Sequence, residues 1–112
     1  MTAQKFIVKF NEVDKNDVGL VGGKGANLGE MTLAKFPVPS GFIVTAKAYF
    51  KFIEDNNLGN KIKNILASVD VDRPNQLDSA SAAIRKIIVN ADIPEIISQQ
   101  IMAAYLKLGS NL

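Results

Sequence analysis

The chain has 112 residues, 47% hydrophobic and 21% charged, with 13 Lys and Arg against 11 Asp and Glu for a net charge of +2. That length and balance describe one ordinary soluble domain, and so small a basic excess, without a dense basic run, excludes nucleic acid and an anionic membrane surface as expected partners. Zero cysteines exclude disulfides and thiolate metal sites, and zero histidines remove the commonest general base near neutral pH and a common phosphoryl carrier.

The opening MTAQKFIVKF has no long apolar core of a signal peptide, and no run approaches the about 20 apolar residues that span a bilayer, so a cytoplasmic setting is expected. Within that opening, KFIVKF alternates, with Phe6, Val8 and Phe10 on one side, and predicts a short strand. NEVDKND after it reads as a polar connection. From Gly23 to Lys35 the pattern turns helical, with Leu28, Met31 and Ala34/Lys35 at spacings of three to four. FPVPSG ends that helix, because Pro37 and Pro39 disfavour helical backbone at the residues before them. GFIVT then predicts a second strand, fed by PVPSG as a rigid turn.

Thr45 is a suitable N-cap for a helix with Ala46, Tyr49, Phe50 and Ile53 on one face, ended by Asn57 and Gly59, which tolerate left-handed backbone. A short helix follows with Ile62, Ile65, Leu66 and Val69 as its stripe. Pro74 predicts the first turn of the next helix, whose Leu77, Ala80, Ile84, Ile87, Ile88 and Ala91 recur at helical spacing. ADIP breaks it, and Pro94 opens a last helix with Ile97, Ile101, Ala104, Tyr105 and Leu108 inward. The expected fold class is α+β and mostly helical, with about five helices and two short strands. An isolated pair of strands is marginal in water, so something is expected downstream of Leu112.

The chemistry-bearing stretch is VGLVGGKGANLGEM, which crowds Gly22, Gly23, Gly25 and Gly29 around Lys24. Each glycine inside a helix costs about 1 kcal/mol relative to alanine. Two readings explain that cost. In one, the glycines serve only a tight turn and close helix packing, with Lys24 solvated. Alternatively, an ammonium and free backbone N–H groups at the positive end of a helix make an anion site, with phosphate the natural ligand. Neither familiar phosphate loop fits: Val18 stands where a Walker A loop begins with glycine and Gly25 follows its lysine, and Leu28 replaces the third glycine of a dinucleotide fingerprint.

The longer strings VGGKGANLGEMT and FPVPSGFIVTAKAYFKFIEDNNL resemble the start of the nucleotide-binding region of the phosphoenolpyruvate synthases, the pyruvate, water dikinases. The resemblance continues through VDVDRPNQL, IRKII and IMAAYLKL, from about Asp17 to Leu108. It implies an N-terminal subdomain, residues 1–112, of an ATP-grasp-type nucleotide-binding domain within a much longer, gluconeogenic, multidomain enzyme. Such enzymes use magnesium to convert ATP, pyruvate and water to AMP, phosphoenolpyruvate and phosphate. By resemblance Lys24 contacts the ATP phosphates, with Gly23 and Gly25 shaping its loop. No catalytic residue and no metal ligand is expected in this chain, and alone it should be inactive. An Arg-Ser-Ser segment, the magnesium carboxylates, the carrier histidine and the pyruvate-binding barrel belong to absent segments, so the expected partners are ATP and the remaining domains. The pyruvate, phosphate dikinases share GGKGANL and PVPSGF, whereas LGEM and the sequence after FIVTAKAYFKFI look more like the water-using enzymes. An antibiotic-phosphorylating relative is a further alternative, and a free-standing helical interaction module is the alternative from another class.

Other residues have plainer readings. Glu30 reads as a solvated helix charge rather than a magnesium ligand, which needs further carboxylates and substrate phosphates. Arg85 reads as a surface residue, opposite the Ile84/Ile88 stripe. Tyr49, Phe50 and Phe52 read as core rather than as an adenine platform. Lys47, Lys51, Lys61 and Lys63 are diluted as a basic patch by Glu54 and Asp55.

Overall fold

The computed structural model describes residues 5–109, which pack as two units: residues 5–50 together with 94–109, and Lys51–Ile93. The first unit holds a two-stranded antiparallel sheet. β1 (Ile7–Lys9) pairs with β2 (Phe42–Val44), Ile7 opposite Val44, Val8 opposite Ile43 and Lys9 opposite Phe42. The period-two pattern buries Val8 between half-buried Ile7 and exposed Lys9. Phe6, just ahead of β1, forms a core with Ala48 and Ile97, against which Ile101 packs. Burying Phe6 and Ile97 contributes about 1.5–3 kcal/mol each.

Phe10 does not extend the strand. It starts a 3-10 turn, Phe10–Glu12, in which the Lys9 N–H donates to Glu12 Oε1 at 2.8 Å. Its ring lies over Gly41, where a Cβ would come within 2.5 Å of it. The polar connection is also ordered: a second 3-10 turn, Lys15–Asp17, is closed by the Asp14 N–H donating to Asp17 Oδ2 at 2.9 Å and the Asn16 N–H to Asp14 Oδ1 at 2.8 Å. Short carboxylates compete well for neighbouring N–H groups, which converts a polar run into turns.

Helix α1 (Val18–Leu33) begins ahead of the predicted Gly23 and is interrupted at Gly22. At its end Lys35 takes left-handed backbone, φ 69°, with the Lys35 N–H donating to the Thr32 carbonyl and the Phe36 N–H to the Met31 carbonyl, both at 3.1 Å. This is a Schellman closure with lysine in the position glycine commonly takes, and Pro37 follows directly.

Thr45 caps α2 (Ala46–Asp55) as its sequence predicts. Its hydroxyl accepts the Ala48 N–H at 3.4 Å and donates to the Lys5 carbonyl at 2.7 Å, while its own N–H donates to the Phe6 carbonyl at 2.9 Å. The inward residue of α2 in this unit is Ala48, not the predicted Tyr49 and Phe50, which are 51% and 64% exposed. At about 100° per residue, a helix that seats Ala48 against Phe6 carries the next two side chains away from it. Helix α5 (Glu95–Gly109) buries Ile97 and half-buries Ile101, Ala104 and Leu108, as expected. Tyr105 is 63% exposed, because a seam on 97, 101, 104 and 108 leaves position 105 off its axis.

In the second unit α3 (Leu58–Ala67) packs against α4 (Pro74–Asn90), with Leu58 and Ala80 buried. Asn57 is left-handed, φ 52°, whereas Gly59 lies inside α3. Asn56 bonds twice to Asp92: its Nδ2 donates to the Asp92 carbonyl at 2.8 Å and its Oδ1 accepts the Asp92 N–H at 3.3 Å. Pro74 occupies the first turn of α4, whose Ile84, Ile87 and Ile88 are half-buried, while Leu77 is exposed.

Candidate functional site

The lysine and its glycines lie on α1, in the first unit. Gly22 has φ 76° and ψ 173°, a conformation essentially restricted to glycine, so the helix breaks there and resumes at Gly23. A resumed helix has its own first turn, whose leading N–H groups lack carbonyl partners within the helix. Lys24 stands in that turn with its side chain exposed, and among the described residues no carboxylate lies within ion-pair distance of its ammonium.

The four glycines are not equivalent. Gly22 is needed for its backbone. Gly25 is buried, and a Cβ there would come within 2.8 Å of Val21 Cβ and 3.2 Å of Ile43 Cδ1, so its bareness lets β2 and the preceding turn close over the helix. Gly29 is tighter still, since a Cβ would meet the Val13 carbonyl oxygen at 2.2 Å. Gly23 alone has neither reason: its φ is not positive, and a Cβ would meet nothing within 4 Å. The packing reading therefore accounts for Gly25 and Gly29, and gives no reason for Gly23 beside Lys24.

Glu30 is more than a solvated charge. Its Oε2 accepts the Lys15 N–H at 3.0 Å. Continued straight, a helix from Val18 would carry residue 30 about 18 Å from its start, well beyond one side chain's reach. The break at Gly22 is what brings residues 29 and 30 back to residues 13 and 15. Sequence reading missed this because its signal is a contact fifteen residues apart.

Arg85 is exposed, its Nη2 donating to Ser81 Oγ at 2.9 Å. Tyr49 and Phe50 pair with each other, centroids 5.8 Å apart at 59°, instead of entering the core. Lys51 pairs with Asp55 at 3.0 Å, and Lys47, Lys61 and Lys63 are exposed. Among the described residues no group of three or more His, Asp or Glu side chains is placed to hold a metal. An open cleft of about 470 Å³ is lined by Phe10, Pro39, Gly41, Ala104 and Leu108 among others, and by none of Gly23, Lys24 and Gly25. Its wall is mixed, with Lys9, Asn11, Glu12 and Ser40 beside the apolar residues, and it lies apart from the Lys24 turn.

A family model described as the pyruvate phosphate dikinase AMP/ATP-binding domain matches residues 18–112. The probable phosphoenolpyruvate synthase of Methanothermobacter thermautotrophicus is 45% identical over 108 residues, covering 96% of this chain and 16% of that protein. That of Methanocaldococcus jannaschii is 46% identical over 106 residues, covering 95% of this chain and 9% of its own length. The phosphoenolpyruvate synthase of Pyrococcus furiosus is 39% identical over 141 residues, covering 97% of this chain and 17% of that protein. The chain thus spans less than a fifth of the length of these relatives.

Proposed function

Because the chain belongs to the pyruvate phosphate dikinase AMP/ATP-binding domain family, we propose that Lys24, with the main chain of Gly23 and Gly25, contacts the phosphates of ATP. The observation that carries this is the exposed, unpaired Lys24 in the first turn after the Gly22 break, next to a glycine that no packing contact explains. Phosphoryl transfer is dominated by positioning and charge neutralisation. A lysine ammonium here supplies one positive charge, and backbone donors at a helix start add directional hydrogen bonds to phosphoryl oxygens.

The wider reading is that this subdomain serves a longer, cytoplasmic phosphoenolpyruvate synthase acting in gluconeogenesis, which turns ATP, pyruvate and water into AMP, phosphoenolpyruvate and phosphate through an ATP-grasp domain. The names of the relatives favour the water-using reaction over that of a phosphate-using dikinase. No described helix is long and apolar enough to cross a membrane. In this reading the magnesium ligands and the pyruvate site belong to other domains of the longer enzyme.

The test is Lys24→Ala in the full-length enzyme. Loss of a preorganised cation at the phosphates is expected to lower kcat/KM for ATP about 10²-fold, with the circular dichroism spectrum and melting temperature unchanged. ATP kinetics equal to those of the wild type would remove Lys24 from the site.

A further inference from the structure

Two contacts close a ring around the Lys24 turn. The 3-10 turn Lys15–Asp17 runs directly into Val18 and the first turn of α1, the chain breaks at Gly22, and the resumed helix returns to the same turn through Glu30 and Gly29. Glu30 Oε2 accepts the Lys15 N–H, and the absent Cβ of Gly29 lets the helix sit on the Val13 carbonyl. Gly22 supplies the freedom of the break but does not choose its angle, since its surroundings are open and glycine backbone is permissive. The angle is set where the ring closes and where Gly25 lets Ile43 of β2 close over the resumed helix. Lys24 lies between the break and the closure, so the direction in which its ammonium and the neighbouring N–H groups point depends on that closure.

We propose that Glu30 is a positioning residue: by bonding the Lys15 N–H it latches the helix after Gly22 at the angle that aims the Lys24 turn at its phosphate. This rests on the reading of Lys24 as a phosphate contact. Glu30 itself touches no phosphate, and its carboxylate accepts a hydrogen bond rather than binding a metal. The exposed latch leaves no buried polar group unsatisfied when broken, so its loss shifts the orientation of the turn without unfolding the unit.

The experiment compares Glu30→Ala, Glu30→Gln, Lys15→Pro and the Glu30→Ala/Lys15→Pro double variant in the full-length enzyme, with Lys24→Ala alongside. Lys15 is the first residue of its turn and Asp14 before it is extended, φ −143° and ψ −167°, so proline removes the donor N–H at a position that accommodates it. Glu30→Ala is expected to raise the KM for ATP about three- to tenfold with kcat within about twofold of the wild type, the size of one charge-assisted hydrogen bond. Glu30→Gln keeps an acceptor oxygen and restores most of the affinity. Lys15→Pro reproduces Glu30→Ala, and the double variant is no worse than either single one, because both break the same bond.

Additive losses in the double variant, or a Glu30→Gln enzyme as impaired as Glu30→Ala, would overturn the latch. A Glu30→Ala enzyme that loses kcat and KM control together with its melting temperature would also overturn it, showing a structural role only. If Lys24→Ala leaves both kcat and KM for ATP unchanged, the phosphate reading fails instead. If Lys24→Ala impairs ATP use and the Glu30 and Lys15 variants do not, the latch alone fails.

Discussion

At the scale of single residues, adjacent glycines make opposite demands. Gly22 needs its φ of 76°, whereas Gly23 sits in regular backbone with open space where a Cβ would go. Gly22→Ala is therefore expected to lower the unfolding free energy by about 1–3 kcal/mol, the cost of forcing an L side chain into that conformation. Gly23→Ala should raise it by up to about 1 kcal/mol through helix propensity and a less free unfolded chain. Denaturant unfolding of the two variants measures both signs. If Gly23 is kept bare for a phosphate, the more stable Gly23→Ala protein should also be the poorer user of ATP in the full-length enzyme. A stabilised variant with unaltered ATP kinetics would leave that glycine without a functional reason. Stability gained where function is lost is a common pattern at sites that need the backbone exposed.

At the scale of elements, Thr45 joins the entry to β1 with the start of α2. Its hydroxyl bonds the Lys5 carbonyl and the Ala48 N–H, and the residue is 1% exposed. Thr45→Val keeps the shape but removes the hydroxyl, leaving the Lys5 carbonyl without its donor, while the Ala48 N–H keeps its 3.1 Å bond to the residue-45 carbonyl. It is expected to cost about 1–2 kcal/mol, read as a lower denaturant midpoint with an unchanged slope. The helices themselves were largely legible: Thr45 as a cap, Pro74 in a first turn, Pro94 ahead of α5 and the proline stop after α1 all act within a few residues. The strand end and the polar connection were not, because Phe10 and the Asp14/Asp17 pair choose 3-10 turns through contacts and competing side-chain bonds that alternation does not report. The outward Tyr49, Phe50 and Tyr105 have the same origin: periodicity defines a stripe several residues wide, and packing distance decides which part of it faces in.

At the scale of the whole molecule, the proposed phosphate contact of Lys24 is limited by solvent, since one ammonium near water gains only about 1 kcal/mol. The isolated 112-residue chain is accordingly expected to bind Mg-ATP with a Kd weaker than about 1 mM. An amide-shift titration should show small, non-saturating changes centred on Gly22 to Gly29. Micromolar saturation would mean that the site is complete within this chain.

By itself the sequence determined the fold class, most helix ends, the family motif and the lysine at its centre, since each of these is written in neighbouring residues: propensity, caps, prolines and a contiguous string. Only the tertiary structure decided where α1 breaks, why Gly25 and Gly29 are bare, and that Glu30 returns to the Lys15 N–H. The roles of Gly25, Gly29 and Glu30 depend on which atoms of Ile43, Val13 and Lys15 come close to them. Such an approach is settled by how elements pack, and glycines that look alike along the chain acquire different reasons only when the neighbour facing each one is known.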